Sequence, residues 1–436
     1  MTLYADLATL LREGRADDDL VALNANGDVR WAEFKARIAA IAHQLPAQAQ
    51  RQLLTETDPL DFAAHLLAVI AAGHTAVLPA NFQAATLSNL AQRLDDVPLP
   101  DTPAIELFTS GSSGEPKRIV KPLAVLEAEC RVLESQWGAT IGKAVIVATV
   151  PHHHIYGLLF RLLWPLLAGR PFDALTASEP STLHQRLTRC PHAVLVSSPA
   201  QLARLPELHE LATFGPHPQL VFSSGGPLPA AVAEAFLAGW QRAPHEIFGS
   251  TETGGIAWRQ QIDGDVAWTP LPGVRIDRDD DGALRVTSPF IADDASLRME
   301  DGMEHCTDGR FVLTGRLDRI VKIEEKRLSL PDLEARLASH PWVASCAAAA
   351  IPSSNGRRTL IGAVVLATPA GQAALAEDRR QVSAALRAHL ADHFDSVLLP
   401  RRWRFVEALP YNDRGKLPRD AIVALLNQPQ QEEQPA

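Results

Sequence analysis

Long apolar runs are missing from this 436-residue sequence: no uninterrupted stretch reaches the roughly 20 residues that cross a bilayer, so no helical membrane span is expected. Basic charge is also scarce. Lys and Arg number 41 against 51 Asp and Glu, a formal net charge of -10, whereas a surface that binds polynucleotides needs clustered cations. No nucleic-acid partner is expected. Cysteine occurs only at Cys130, Cys190, Cys306 and Cys346, without CxxC spacing, so neither a disulfide framework nor a thiolate zinc site is encoded. These cysteines are expected to be reduced and mostly buried. The opening MTLYADLATLLREGRADDD has no basic start followed by an apolar run, which leaves the cytoplasm as the expected location. Internal repeats are absent too. What the sequence does have is 46% apolar and 21% charged residues, the balance of a globular protein that can bury a sizeable core in one large or two unequal domains.

Helix-period segments such as WAEFKARIAAIAHQL and PLDFAAHLLAVIAAG dominate up to about residue 100, the second ending at Gly73 before a short apolar TAVLP strand. Short apolar runs then recur at AVIVATV, HAVLVSS and QLVFSSGG, separated by helical patterns. That spacing predicts parallel strands joined by crossover helices, and ligands of such sheets gather at strand ends. Beyond residue 270 the texture turns charged and Gly-punctuated, in GVRIDRDDDGALRVTS and DGRFVLTGRLDRIVKI, which predicts a small region of β-hairpins. A mixed tail follows: helix PDLEARLASH, strands CAAAAIP and LIGAVVLA, and helix RRQVSAALRAHLADHF. The final NQPQQEEQPA is polar and expected to be disordered.

The sharpest local signal is TSGSSGEPK, from Thr109 to Lys117, after the apolar IELF. Small hydroxyl residues and glycines let a backbone approach phosphate oxygens closely while N–H and O–H groups point at them, and a lysine adds charge. Taken alone, the same letters also describe a flexible Ser/Gly turn. The GxxxxGK[ST] loop of P-loop NTPases is not matched, because no Gly-Lys-Ser or Gly-Lys-Thr follows, and a kinase or GTPase reading loses support. Three further segments stand downstream: FGSTETGG at 248–255, TGRLDRIVKIEEKR at 314–327 and PYNDRGKLPR at 410–419.

Four collinear motifs at these separations resemble the adenylate-forming (AMP-binding) superfamily of acyl-CoA synthetases, nonribosomal adenylation domains and firefly luciferase. The resemblance runs from about Leu66 to Arg419. It implies an α/β fold with a large N-terminal domain at 1–316, built of parallel and mixed sheets and a β subdomain. A small mobile α+β C-terminal domain at 317–426 and a disordered tail at 427–436 would follow.

The implied reaction uses ATP and magnesium to activate a carboxylic acid as acyl-AMP and then hands the acyl group to a thiol. A carboxylate is a poor electrophile, so charge builds on phosphoryl oxygens as pyrophosphate leaves, and cations and N–H donors must gather there. The resemblance places Thr109, Ser110, Gly111, Ser112, Ser113, Gly114 and Lys117 around the β- and γ-phosphates. It stacks Phe248 on adenine beside Gly249, sets Thr251 at the α-phosphate and gives Glu252 the magnesium, a hard cation suited to carboxylate oxygen. An isolated Thr-Glu pair would otherwise read as a helix N-terminus. Lys416 matches the catalytic lysine that bridges acid and α-phosphate; without that context it would be a solvated surface charge. Arg316 and Asp318 match a ribose-contacting arginine and a hinge aspartate, and could otherwise pass as a turn ion pair. Asp301 takes the place of the ribose-binding aspartate, with Met299 and Glu300 where the family has Thr and Gly.

PHHHIYG at 151–157 fits the family's Pro-x-x-His-x-x-Gly segment and puts His154 near the acyl pocket, while SSGGPLP at 223–229 puts Ser224, Gly225 and Gly226 at its wall. His152 and His154 would share a strand face, but no third ligand lies at useful spacing for a metal. LLFRLLWPLLAG lacks the aspartate that amino-acid-specific adenylation domains keep, which disfavours an amino acid. From Lys322 the chain reads KIEEKR where the family has Lys-x-x-Gly-x-Arg. Glu325 therefore replaces the glycine that lines the pantetheine tunnel, while Arg327, Asp332 and Glu334 are kept. Either that side chain points to solvent, or thiol access is altered in favour of a carrier-protein arm over free CoA.

Compact relatives with a similarly short N-terminal domain include ligases of aryl-polyene and xanthomonadin-type pigment clusters, which load hydroxybenzoate-like acids onto an acyl carrier protein. The resemblance therefore implies an aryl acid such as 3- or 4-hydroxybenzoate and an acyl-carrier-protein acceptor. The alternatives are a short- or medium-chain acyl-CoA synthetase and a non-catalytic nucleotide-binding protein. Retention of Glu252, Arg316 and Lys416 opposes the last.

Overall fold

The computed structural model describes residues 4–25, 27–48, 50–80, 82–83, 86–88, 90, 94, 97–110, 116–292, 296–323, 326–352, 359–411 and 417–428. The chain forms two units. The first comprises Met1–Asp277, Arg285–Leu297 and His305–Val312, and the second Arg278–Leu284, Arg298–Glu304 and Leu313–Ala436.

The first unit is organised by a nine-stranded sheet. The three apolar runs expected to be parallel strands are Val145–Ala148, Ala193–Ser197 and Leu220–Ser224, which lie side by side and parallel. His245–Ser250 continues the parallel set on one side, and Phe172–Thr176 and Leu20–Asn24 on the other. Antiparallel partners finish the two flanks, Gly254–Arg259 followed by Thr269–Pro270 on one and Gly27–Arg30 on the other. Every residue of Ala193–Ser197 is buried, as a strand covered on both faces requires.

A second sheet runs in the order Arg51–Leu53, Thr75–Leu78, Ala104–Ser110 and Pro116–Pro122, the last two as an antiparallel hairpin pairing Thr109 with Lys117. Helix Pro59–Ala71 precedes the Thr75–Leu78 strand as the pattern predicts. Its start is fixed by Asp58, which accepts hydrogen bonds from the Leu60 and Asp61 N–H groups, and by a proline in the first turn. Ten of its residues are buried, so a predominantly apolar sequence, broken only by Asp61 and His65, has become a largely interior helix.

The second unit contains the hairpin Ile320–Ile323 with Lys326–Ser329, then helix Leu330–Ala338, whose N-terminus is capped by Ser329. Strands Val343–Pro352, Thr359–Ala367 and Arg402–Val406 form a three-stranded sheet. Helices Pro369–Glu377, Arg379–Ala391 and Arg419–Asn427 complete the unit. Leu333, Leu337, Val365, Leu386 and Leu390 belong to its own apolar core. Between these parts of the chain, strands Arg275–Arg278, Ala283–Thr287, Ser296–His305 and Phe311–Arg316 make a four-stranded sheet in chain order, the small β region expected after residue 270. Asn427 ends the last helix, and the expected disordered tail lies from residue 429 outside the described residues.

Candidate active site

Parallel pairing sends the C-terminal ends of neighbouring strands to one edge of a sheet, where ligands bind. Three expected segments leave the first unit's sheet there: PHHHIYG after Val145–Ala148, SSGGPLP at the end of Leu220–Ser224, and FGSTETGG in His245–Ser250 and beyond. Ser224 Oγ donates to the Ile247 carbonyl at 2.8 Å and ties two of these ends together. Gly225 follows at φ +96°, which glycine alone adopts cheaply.

PHHHIYG forms a turn rather than the strand that would place His152 and His154 on one face. A Cβ at Gly157 would lie 1.9 Å from the Pro151 carbonyl oxygen, so the bare glycine lets the turn close on itself. His154 precedes the short helix Ile155–Gly157 and is half-buried. His152 is turned inward, 2% exposed, with Nε2 2.9 Å from the Glu56 carbonyl oxygen and its ring 4.4 Å from that of Phe62. Among the described residues no group of three or more His, Cys, Asp or Glu could hold a metal ion.

Burial, aided by the Arg161 charge, pushes the His152 imidazole down to about 3, and burial pushes His245 down to about 4. Both rings are neutral in the fold but bind a proton below about pH 6.5 once unfolded. Their contribution to stability is therefore complete above pH 6.5 and is lost as pH falls toward 4 and 3, by about 1.4 kcal/mol per ring per unit. The melting temperature should drop between pH 7 and pH 5, and His152→Gln, which retains an N–H for the Glu56 carbonyl, should shallow the drop. An equally steep drop in the variant would contradict this assignment.

FGSTETGG is a β-hairpin, not a helix N-terminus. Gly249 pairs with Gly255 and Ser250 with Gly254, leaving Thr251, Glu252 and Thr253 at the tip. Strand approach is so close that a Cβ on Gly249 would fall 2.0 Å from the Gly254 carbonyl oxygen. The tip is cross-braced by the Ser250 N–H, which donates to Thr253 Oγ1 at 2.9 Å. Phe248, half-buried, lies 5.4 Å from the Trp268 ring and 6.4 Å from that of Phe311. Lys117 Nζ reaches from the neighbouring hairpin to Glu252 Oε1 at 2.7 Å. Burial pushes the Glu252 carboxyl up, but the Lys117 hydrogen bond and charge outweigh it together with bonds from Ser250 and the backbone, so the pKa ends below the ordinary value and the group is ionised. Thr109 and Ser110 have described backbones in the strand that pairs with Lys117, whereas Gly111, Ser112, Ser113 and Gly114 lie outside the described residues.

In the second unit Arg316 Nη1 stands 3.4 Å from Asp301 Oδ2, and Asp301 is 9% exposed. Gly302 must be bare, since a Cβ would meet Thr314 Oγ1 at 2.5 Å. The backbone of Asp318 belongs to the 3₁₀ turn Leu317–Arg319. Arg319 pairs with Glu334 at 2.6 Å, fastening that turn to helix Leu330–Ala338. Glu325 and Lys416 lie outside the described residues.

Residues 29–288 match the model of the AMP-binding enzyme family, and residues 332–416 match that of the AMP-binding enzyme C-terminal domain. The chain belongs to the AMP-binding enzyme family. Over 310 residues it is 31% identical to a 4-coumarate--CoA ligase of Rhodobacter capsulatus, covering 71% of this chain and 73% of that one. A D-alanine--D-alanyl carrier protein ligase of Staphylococcus aureus is 24% identical over 358 residues, 74% of this chain and 71% of the relative. A benzoate CoA ligase of Burkholderia xenovorans LB400 superposes with TM-score 0.74 at 19% identity, over 97% of this chain and all of its own. These are adenylate-forming acid ligases in kind, and the α/β fold with its large and small domains is theirs.

This AMP-binding enzyme also carries polar groups in its interior that no motif announced. Glu106, fully buried within strand Ala104–Ser110, accepts from Arg51 at 2.9 Å and Arg118 at 2.6 Å. Arg161, in a buried π-helical stretch Leu158–Leu163, donates to the Val150 carbonyl and to Thr176 Oγ1 at the strand ends beside PHHHIYG. Lys121 and Glu129 are 2% and 1% exposed. The only clue to Glu106 was its place in an apolar strand; LEAECRVLE around Glu129 reads as an ordinary amphipathic helix.

Proposed function

We propose that this enzyme uses ATP and magnesium to convert an aryl acid, such as 3- or 4-hydroxybenzoate, into its acyl-AMP and then transfers the acyl group to the phosphopantetheine thiol of an acyl carrier protein. The observation that carries the adenylation reading is the ionised Glu252 carboxylate at a braced hairpin tip, joined to Lys117 of the phosphate-loop hairpin. A single hard carboxylate suits magnesium, whose remaining ligands come from phosphate oxygens and water. Magnesium, when bound there, would neutralise charge on the phosphates as pyrophosphate departs.

Every other role falls to the chain itself. Phe248 stacks on adenine, Thr251 donates to the α-phosphate, and the Thr109–Lys117 segment with Ser110, Gly111, Ser112, Ser113 and Gly114 cradles the β- and γ-phosphates. Asp301 and Arg316 hold the ribose, and Lys416 holds the acid carboxylate against the α-phosphate. His154, Ser224, Gly225 and Gly226 border the acyl group. Asp318, at the boundary between residues 1–316 and 317–426, is the hinge about which the smaller domain moves between half-reactions.

Two relatives support the aryl acid, since one is named for 4-coumarate and one for benzoate. A third, named for a carrier protein, supports the carrier thiol. The acidic composition fits a cytoplasmic enzyme, and a hydroxybenzoyl starter suits pigment biosynthesis. Free CoA is the second acceptor to weigh, because the relative at 31% identity is a CoA ligase.

The test is pyrophosphate release with ATP and magnesium across hydroxybenzoates, cinnamates and fatty acids, followed by thioester formation with CoA or a holo acyl carrier protein. Release with one hydroxybenzoate and a thioester on the carrier support the reading. Release only with fatty acids, or thioester only on CoA, would replace its substrate or acceptor.

A further inference from the structure

Two buried ionisable groups hydrogen-bond to the backbone of the Glu252 hairpin. Lys121 lies on strand Pro116–Pro122, four residues after Lys117 and, by the two-residue alternation of a strand, on the same face. Its ammonium donates to the Glu252 carbonyl at 2.6 Å and to the Phe290 carbonyl at 2.9 Å. Glu129, on the helix Leu123–Ile141 that follows, accepts the Gly255 N–H through Oε1 at 2.7 Å. It also packs against Gly254, where a Cβ would lie 2.3 Å from Oε2. The residues at the tip are thus held by interior charges at both ends: the carbonyl of Glu252 on one, the N–H of Gly255 on the other.

Such an arrangement is costly. Taking a lysine and a glutamate out of water carries a penalty of several kcal/mol per ion, and apolar residues of similar volume often fill such places with no loss of stability. Burial lowers Lys121 and pushes Glu129 up to about 7, while the charge of each favours the charged form of the other. What they do achieve is geometric: hairpin tips are ordinarily among the most mobile parts of a sheet, and a metal-holding carboxylate gains from a fixed backbone.

We propose that Lys121 and Glu129 are positioning residues that clamp the hairpin tip and so hold the Glu252 carboxylate in place for magnesium-bound ATP. The inference rests on the assignment of Glu252 to magnesium and is tested so that the two can fail separately. The dissociation constant of ATP is measured by calorimetry without acid substrate, with and without magnesium, for wild type, Glu129→Leu, Glu129→Gln, Lys121→Gln and Glu252→Gln. Amide exchange across residues 248–256 is followed in parallel, and circular dichroism checks the fold.

Glu129→Leu and Lys121→Gln should weaken magnesium-dependent ATP binding about tenfold, an effect of one lost charged hydrogen bond, and speed exchange at the tip, with magnesium-free binding unchanged. Glu129→Gln, which keeps an acceptor for the Gly255 N–H, should restore most of the affinity. A generally damaged structure would instead weaken both binding modes alike and gain nothing from glutamine. A shift in Glu252→Gln with none in folded Lys121→Gln and Glu129→Leu overturns the clamp alone. No shift in Glu252→Gln overturns the magnesium assignment and the clamp's purpose with it.

Discussion

Lys416→Ala should lower acyl-adenylate formation about 100- to 1,000-fold, the loss expected when one preorganised charge worth about 2.7–4 kcal/mol is taken from a developing anionic centre. In the role proposed for it, the ammonium would neutralise two anions that must meet, the carboxylate and the α-phosphate, so its removal would raise the barrier of that encounter only. Attack of a thiol on acyl-AMP has no such approach of like charges, and thioester formation from supplied acyl-AMP stays at the wild-type level. Measuring the half-reactions separately decides the matter. A folded variant that loses both, or neither, contradicts the role given to Lys416.

Glu252→Gln, if this carboxylate holds magnesium as proposed, should lower pyrophosphate release about 100-fold at a fixed low magnesium concentration, and added magnesium should recover part of it. The amide keeps the shape of the side chain and an oxygen toward the phosphates but no longer supplies the negative charge that a hard cation prefers. Stability should hardly change. The Lys117–Glu252 pair is partly exposed, with side-chain exposures of 60% and 30%, and such pairs contribute about 0–1 kcal/mol. A melting temperature near wild type beside a steep loss of rate marks a functional carboxylate. A rate that responds to magnesium as the wild type does would remove Glu252 from the metal.

Much of the fold was legible because it depends on local pattern. The apolar runs at Val145–Ala148, Ala193–Ser197 and Leu220–Ser224 read as parallel strands because they are short, almost wholly apolar and separated by helical patterns, and all but Val145 and Ser224 are buried. The helix from Pro59 announced itself through its helix-period apolar pattern and the stop at Gly73. The motif segments were legible as positions, but not always as shapes. Thr251-Glu252 reads equally well as a helix start, and only the close approach of Gly249 to Gly254 makes it a hairpin tip. His152 and His154 were expected on one strand face; the closure of the turn at Gly157 sends His152 inward against Phe62 instead.

Buried charge was the least legible feature. Lys121, Glu129, Glu106 and Arg161 carry letters that usually belong to the surface, and their burial is decided by partners distant in sequence: Glu252 and Phe290, Gly255, Arg51, and Thr176. Periodicity cannot distinguish a glutamate on a solvated helix face from one that meets a backbone N–H across the core. The sequence therefore announces the motif segments more clearly than the buried charges that bind the chain around them.

The central claim, that the acid is activated through a mixed anhydride with AMP, is tested most directly by following oxygen. The enzyme is supplied with ATP, magnesium, a thiol acceptor and an accepted acid whose carboxylate oxygens are both ¹⁸O, and the AMP formed is analysed by mass spectrometry. Adenylation followed by thiol attack breaks the acyl carbon–oxygen bond, leaving one labelled oxygen on AMP and the other in the thioester. AMP with a single ¹⁸O, released with pyrophosphate, is the predicted result; unlabelled AMP, or ADP with labelled phosphate, would contradict it.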